Sequence, residues 1–375
     1  MKSWFSIANM RRELGAHARG DLMVTIGNFD GVHRGHQLLL KILKEKAQEN
    51  GWFSLVVTFR EHPAGFLRQG TPLLLTTVEE RSAVFSGLGL DGCLVLDFNQ
   101  ELASMTPEEF LSLVKDWGAR GFIVGYDFRF GAGAAGGTGE VLEFCRRHGL
   151  LGQVIPPVKV GREIVSSSRI RELLQAGDLA KANLMLDRAY MITGRVTHGA
   201  RRGRLLGFPT ANLELPANRL LPGSGVYLVR VFFDGRTHFG LANIGVRPTF
   251  SRTRPEPEGR LEIESRLETE NQLKTENQPE AGNQLKTEVH SETNNQLKAE
   301  NEFKAENRPT TEIHLLDVAA DLYYKTMVVE FLAFIRRERK FPSAAALVAQ
   351  MKKDEQAARK LLQRHSFFAK QTLSG

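Results

Sequence analysis

Through the first half of the chain, short apolar runs alternate with segments of helical spacing. The runs are Leu22–Ile26, Phe53–Phe59, Gly92–Leu96, Gly121–Val124 and Gly152–Ile155; between them lie Gln37–Gln48, Val78–Ser86, Pro107–Trp117 and Glu140–His148. Continuously apolar strands separated by helices belong to parallel sheets covered on both faces, so the rhythm predicts a doubly wound α/β domain with ligands at the carboxyl ends of its strands. Thr106-Pro107-Glu108-Glu109 predicts a helix start, with Thr at the cap, Pro at the first helical position and Glu three residues beyond the cap.

After about residue 188 the texture becomes short β-rich pieces: Tyr190–Val196, Gly225–Phe233, His238–Asn243, Thr311–Leu316 and Thr326–Phe334, separated by Gly, Pro and Asn turns. This predicts an antiparallel barrel or sandwich. A last amphipathic stretch, Ser343 to Leu362, predicts one terminal helix packed on the sheet.

Residues 252–310 fit neither texture. Read in sixes from Arg260, the chain runs RLEIES, RLETEN, QLKTEN, QPEAGN, QLKTEV, HSETNN, QLKAEN, EFKAEN, RPTTEI. Six residues at about 100° each turn through about 600°, so on a straight helix the Leu or Phe that usually holds the second position spirals around instead of forming a stripe. So little apolar surface cannot offset chain entropy, and a disordered or fluctuating loop is expected, with a partner-binding repeat as the alternative.

With 375 residues and 42% hydrophobic content, the chain is expected to form two domains. No run of about 18 apolar residues and no apolar h-region occurs, so a cytoplasmic protein that neither spans a membrane nor is exported is expected. Cys93 and Cys145 stand apart, which predicts buried thiols and not a disulfide framework or structural zinc. A net charge of +7 is modest over this length. The sharpest basic cluster, Arg195, His198, Arg201, Arg202 and Arg204, is interleaved with glycines such as Gly203 and not with stacking aromatics. That composition suits a compact polyphosphate better than a nucleic acid strand, and makes Arg201 and Gly203 candidate phosphate contacts.

The densest chemistry lies in Gly27-Asn28-Phe29-Asp30-Gly31-Val32-His33-Arg34-Gly35-His36, directly after an apolar run and before a helix. Glycines 27, 31 and 35 allow close backbone approach, and the following helix start offers free N–H groups and its positive dipole end to an anion. Gly27, Phe29, Asp30, Gly31 and Gly35 are therefore candidate phosphate contacts, with His33 and His36 as hydrogen-bond donors. Alone, a His-x-x-His pair is better read as surface residues of a glycine-rich turn; as a metal pair it lacks the third ligand zinc would want. The whole string is similar to the Gly-x-Phe-Asp-Gly-x-His-x-Gly-His signature of dinucleotide-forming nucleotidyltransferases.

Other segments extend the list. Thr58-Phe59-Arg60-Glu61-His62-Pro63 closes a buried strand with a His-Pro turn, and Gly125-Tyr126-Asp127-Phe128-Arg129-Phe130-Gly131 opens a Gly/Ala loop that reads as flexible. Ser167-Ser168-Arg169-Ile170-Arg171 begins a helix with hydroxyls, and Arg171 offers a bidentate phosphate donor. In the second half, Gly207-Phe208-Pro209-Thr210-Ala211-Asn212-Leu213 puts a hydroxyl and an amide oxygen on one face of an extended segment, able to hold Mg²⁺ and a triphosphate. Glu312 sits in the alternating run Thr311–Asp317, where a carboxylate could accept a substrate proton or simply be solvated.

In their order, these segments resemble the bifunctional bacterial riboflavin kinase/FAD synthetase family over nearly the whole chain apart from 252–310. The resemblance rests on Gly27–His36, Gly125–Gly131 and Ser167–Arg171 in the first half, and on Gly207–Leu213, Gly240–Phe250, Glu312–Asp317 and the tail from Phe341 in the second. It implies a Rossmann-like FMN adenylyltransferase domain over 1–187. A small antiparallel β-barrel riboflavin kinase domain with a C-terminal helix would follow over 188–375, interrupted at about 252–310. The resemblance implies that His33, His36, Asp127, Ser167, Ser168 and Arg171 handle ATP and FMN, that Thr210 and Asn212 hold Mg-ATP, and that Glu312 is the kinase base. Candidate flavin contacts are His62, Pro63 and Phe128 in the first domain and Gly240, Asn243 and Gly245 in the second. Implied partners are riboflavin, FMN and ATP, with Mg²⁺ as cofactor, no nucleic acid and no obligate protein partner.

The chain departs from the family pattern in the hexad insertion, in Val318-Ala319-Ala320-Asp321-Leu322-Tyr323-Tyr324 where the family has a Gly-rich segment, and in the all Gly and Ala loop Gly131–Gly137. These changes leave a flavin-binding or regulatory protein with an impaired kinase module as the alternative.

Overall fold

The computed structural model describes residues 1–15, 21–67, 72–198, 207–246, 309–318 and 322–372. Arg201, Gly203 and the hexads through 308 lie outside them.

The first part carries strands β1 (Lys2–Trp4), β2 (Leu22–Ile26), β3 (Phe53–Phe59), β4 (Gly92–Leu96), β5 (Ala119–Gly125) and β6 (Leu151–Ile155). Helices α1 (Ile7–Gly15), α2 (Arg34–Asn50), α3 (Pro63–Leu67), α4 (Val78–Gly87), α5 (Gln100–Ser104), α6 (Pro107–Asp116) and α7 (Thr138–His148) connect them. A two-strand ribbon, β7 (Lys159–Val160) with β8 (Glu163–Ile164), precedes α8 (Ser167–Gln175) and α9 (Leu179–Leu186).

The six strands form one parallel sheet in the order β1-β4-β3-β2-β5-β6. β2, β3 and β4 step one way across it, while β5 and β6 lie on the other side of β2. The winding therefore reverses between β2 and β5, and at such a switch point an open α/β sheet leaves a crevice at the strands' carboxyl ends. Every residue of β2 and β4 is buried, as continuous apolar runs require. The expected helix start is present: Thr106 Oγ1 accepts from the Glu109 amide at 3.3 Å and Glu109 Oε2 accepts from the Thr106 amide at 2.8 Å.

The later strands are β9 (Tyr190–Thr197), β10 (Ala211–Glu214), β11 (Gly225–Phe233), β12 (Arg236–Val246), β13 (Pro309–Leu315) and β14 (Thr326–Arg337), with a final helix α10 (Ala344–Thr372). They close into a barrel in the order β10-β13-β12-β11-β14-β9, which settles the choice between barrel and sandwich. Arg336 anchors α10 through a fork to the buried Asp354, and Ala358 packs against Val226, Leu228, Leu241 and Leu316.

Ile170, Leu173, Leu174, Leu179, Ala182, Met185 and Leu186 of α8 and α9 belong to the same apolar cluster as Tyr190, Ile192, Tyr227, Val229, Ile313, Val329 and Phe331 of the barrel. A second link is polar. Leu74 bridges Arg219 in parallel fashion, with Leu74 N donating to Asn218 O at 2.7 Å and Leu220 N to Leu74 O at 2.9 Å. There Arg219 meets Glu80 of α4 at 2.9 Å, with side chains only 1% and 3% exposed. The described residues of 1–244 and 311–372 thus pack together.

Candidate functional site

The Gly27–His36 turn lies at the switch point, between β2 and α2. Its backbone is unusual. Phe29, Gly31 and Val32 all have positive φ, at 49°, 82° and 38°. For a β-branched residue such as Val32 this conformation costs about 1–3 kcal/mol and persists only where its surroundings impose it. His33 returns to extended geometry and caps α2, its Nδ1 accepting from His36 N at 3.3 Å. The two imidazoles stack with centroids 3.6 Å apart, and Phe29 meets His36 edge-on at 5.2 Å. Gly35 permits this, because a Cβ there would lie 3.3 Å from the His33 ring.

Both rings are held neutral. Burial pushes His33 down to about 4, helped by Arg188 and opposed by a backbone hydrogen bond and Asp30. Burial drives His36 well below its ordinary value, assisted by His33, Arg188 and Arg81. With Nδ1 of His33 accepting, its proton resides on Nε2, which is free to donate. Nδ1 of His36 is buried with no hydrogen-bond partner among the described residues.

Asp30 has a different place from the phosphate contact expected of it. Its carboxylate, 1% exposed, accepts from Leu75 N at 3.0 Å, Thr76 N at 2.9 Å and Thr76 Oγ1 at 3.1 Å, and pairs with Arg171 Nη2 at 2.7 Å. All its acceptor capacity is used within the protein, and an anion facing a phosphate would repel it. Arg171 also donates from Nε to Leu73 O at 2.8 Å, so part of its fork is committed. Ser167 Oγ donates to Asp30 O at 2.8 Å, while Ser166 caps α8 and Ser168 is exposed in its first turn. These contacts fasten α8 and the segment 73–76 to the turn. Phe29 is likewise packed, edge-on against Phe85.

His62 is half-buried at the start of α3, its Nδ1 accepting from Ala64 N at 3.1 Å. Burial lowers its pKa, and its electrostatic neighbours Asp30, Arg171 and Arg81 place it beside the same cluster. Pro63 begins α3. Asp127 is exposed just past β5, on the edge that carries the turn, and Phe128 stacks on Phe130 with centroids 5.0 Å apart. The Gly/Ala loop is more tied down than its composition suggested: Phe130 and Gly136 exchange backbone hydrogen bonds at 3.1 and 2.9 Å.

Two arginines of the site, Arg81 buried and Arg188 partly so, were missed in the sequence. Arg81 of α4 donates to Asn28 O and to Phe59 O, stapling the carboxyl ends of β2 and β3. Arg188 donates to Gly31 O, Val32 O and Leu186 O. Burial lowers the pKa of both, Arg188 to about 10. Arg81 sits in the charge run Glu79-Glu80-Arg81, which reads as a solvated face, and nothing local marks Arg188. The one available signal was Thr77 with Glu80, a sequence-visible capping box that fixes α4.

On the barrel, Asn212 of β10 lies opposite Glu312 of β13 and Thr197 of β9. All three are half-buried, whereas Ala211, Leu213 and Ile313 point into the apolar cluster. Thr210 precedes Asn212 by two positions. The loop before it is held by His314, whose Nδ1 lies 3.0 Å from Pro209 O and whose ring meets Phe208 at 5.2 Å. Gly240 has a packing reason of its own: a Cβ there would fall 2.6 Å from His314 O. Asn243 is half-buried on β12, and Gly245 lies near that strand's end. The hydroxyl of Thr210 and the amide oxygen of Asn212 are hard oxygen donors of the kind that suits Mg²⁺ retaining waters and substrate phosphates. Among the described residues no group of three His, Cys, Asp or Glu is placed to hold a metal.

A parallel α/β sheet of nucleotidyltransferase type, joined to a six-stranded antiparallel barrel with a C-terminal helix, defines the class. The FAD synthetase family model matches residues 16–169, and the riboflavin kinase family model matches 186–290 and 284–362. The chain belongs to the bifunctional riboflavin kinase/FMN adenylyltransferase family. It is 34% identical over 341 residues to the member from Pseudomonas fluorescens, covering 90% of this chain and 92% of that relative. It is 30% identical to the member from Bacillus subtilis, covering 90% and 91%. The crystal structure described as a macrolide-efflux protein from Streptococcus pneumoniae is similar at 26% identity and a TM-score of 0.71, covering 91% of this chain and 94% of that one. Among the described residues no helix is long and apolar enough to cross a membrane.

Proposed function

We propose that this chain makes FAD in two ATP-dependent steps. The barrel transfers the γ-phosphoryl group of ATP to the ribityl 5′-hydroxyl of riboflavin, giving FMN and ADP. The α/β sheet then joins the FMN phosphate to the α-phosphorus of a second ATP and releases pyrophosphate. The observation that carries this reading is the coincidence of each matched family with its own cluster: the turn at the switch point within 16–169, and the Thr210–Asn212–Glu312 row within 186–362.

In adenylyl transfer, negative charge grows on the departing pyrophosphate and around the α-phosphorus. The neutral His33 and His36 donate hydrogen bonds to those oxygens, the α2 N-terminus supplies its dipole, and Arg171 adds the donors that Asp30 and Leu73 leave unused. Gly27, Gly31 and Gly35 let the triphosphate approach the backbone, Asp30 fixes the turn, and Asp127 and Ser168 border the crevice. His62, Pro63 and Phe128 line the flavin side. Catalysis of this kind is positioning and electrostatics. On the barrel, Glu312 takes the proton of the attacking hydroxyl, and Gly240, Asn243 and Gly245 border the flavin. Thr210 and Asn212 would hold Mg²⁺, which when bound neutralises triphosphate charge. A cytoplasmic setting fits the use of ATP and the two buried free cysteines.

Incubation of the purified protein with riboflavin, ATP and Mg²⁺, followed by chromatography of the flavins, tests the proposal. FMN and FAD are both expected. Bound riboflavin with no conversion would instead support a flavin-binding or regulatory role.

A further inference from the structure

The turn that meets phosphate in the reading above is held in shape by a residue outside the stretch matched to FAD synthetase. Gly31 and Val32 carry positive φ on consecutive residues, and their carbonyl oxygens converge on one guanidinium: Arg188 Nη2 donates to Gly31 O at 2.6 Å and Nη1 to Val32 O at 3.0 Å. Nη1 also reaches Leu186 O at 3.2 Å, and Gln37 Nε2 spans the same two carbonyls, Val32 O and Leu186 O, at 2.8 Å each. On the flank, Arg34 pairs with Asp187 at 2.5 Å. Arg188 is largely buried and forms no ion pair with a carboxylate among the described residues; its Nη1 and Nη2 donate to these main-chain oxygens, and its Nε is buried without a hydrogen-bond partner among the described residues. It stands two residues before β9, within the 186–290 match to riboflavin kinase and beyond the 16–169 match to FAD synthetase.

A carbonyl oxygen turned toward a triphosphate would repel it. The guanidinium draws two such oxygens back into the protein and compensates the strain of a left-handed valine. From that anchored pair the chain runs directly into His33, whose cap sets the first turn of α2.

We propose that Arg188 is a positioning residue for adenylyl transfer: by forking onto Gly31 O and Val32 O it holds the turn in the one shape that presents His33, His36 and the α2 N-terminus to the nucleotide. The proposal rests on the adenylyltransferase reading of this crevice. Arg188 acts through the turn and touches no substrate.

The test uses the full chain with Arg188→Ala and Arg188→Lys, supplied with FMN and ATP for one step and with riboflavin and ATP for the other. For Arg188→Ala, kcat for FAD formation falls by about 10²-fold with a much smaller change in KM for ATP, as expected when reacting groups are misplaced by about an ångström. Sub-denaturing guanidinium restores part of that loss, and riboflavin phosphorylation stays at the parental rate. Arg188→Lys keeps the charge but cannot fork onto two carbonyls, so it shows the same selective defect, and it carries the test if the alanine variant does not fold. FAD formation near the parental rate in both variants would overturn the proposal. So would an equal loss of both activities without guanidinium rescue, which marks a purely structural role. A parental chain that makes FMN but no FAD would instead overturn the adenylyltransferase reading itself.

Discussion

Asp30 and Arg171, 141 positions apart in sequence, meet at 2.7 Å with the carboxylate almost wholly withdrawn from solvent. The pair locks α8 to the Gly27–His36 turn, and Leu75 and Thr76 fill the remaining acceptor sites. Asp30→Asn keeps the size but sets an amide among donors. Breaking a buried charge pair costs about 3–5 kcal/mol, so a loss of that order in unfolding free energy is expected from urea denaturation. An unchanged midpoint would show that the carboxylate does not anchor the turn.

His33 links stability to pH. Its folded value of about 4 lies below the ordinary 6.5, so the folded chain binds fewer protons between these limits. Its contribution is fully present above pH 6.5 and is lost as pH falls toward 4, reaching about 3 kcal/mol at one proton's linkage. His33→Asn retains a good cap and cannot titrate. Its unfolding free energy should therefore decline less than that of the parent between pH 7 and pH 4.5; parallel declines would place the sensitivity elsewhere.

His36→Ala removes one donor from the crevice and the stacking partner of His33. FAD formation from supplied FMN should fall by about 10²- to 10³-fold, as for loss of a transition-state hydrogen bond, while FMN still accumulates from riboflavin. Equal loss of both products would contradict the assignment.

Glu312→Gln preserves shape and removes the proton acceptor. Riboflavin phosphorylation should drop by about 10²-fold or more, with adenylylation of supplied FMN intact. Phosphorylation at the parental rate would put the base elsewhere.

Replacing residues 256–308 with a Gly/Ser linker of several residues should leave both activities in place. The hexads present no apolar face, and β12 and β13 are neighbours in the barrel order, so a short connection can join them. Loss of kinase activity in a folded deletion variant would give the repeat a role.

The strands and the motif turn were legible because their signals are local. β2, β3, β4 and β11 have the limits their apolar runs predicted. β1 is only three residues long and has no period to read. The site was legible as a set of glycines, histidines and hydroxyls, but the job of each charge was not. Asp30 looks like a ligand in its motif, and its partners at 75, 76 and 171 come from distant elements that only the fold brings together. Arg81, Arg188 and Arg219 carry residue types that ordinarily mark exposed positions, and their burial depends on carbonyls and a carboxylate supplied by tertiary contact.

The apolar cluster shared by α8, α9 and the barrel sets an order on synthesis. Residues 170–186 leave the ribosome with their apolar faces uncovered, and the barrel strands that cover them follow. β14 pairs with both β9 and β11, so the barrel cannot close until residue 337 has emerged. The parallel sheet, by contrast, has all its strands by residue 155. A nascent chain therefore carries a completed sheet beside an open barrel edge for more than half its remaining length, the interval in which an unpaired strand is most exposed to pairing with another chain.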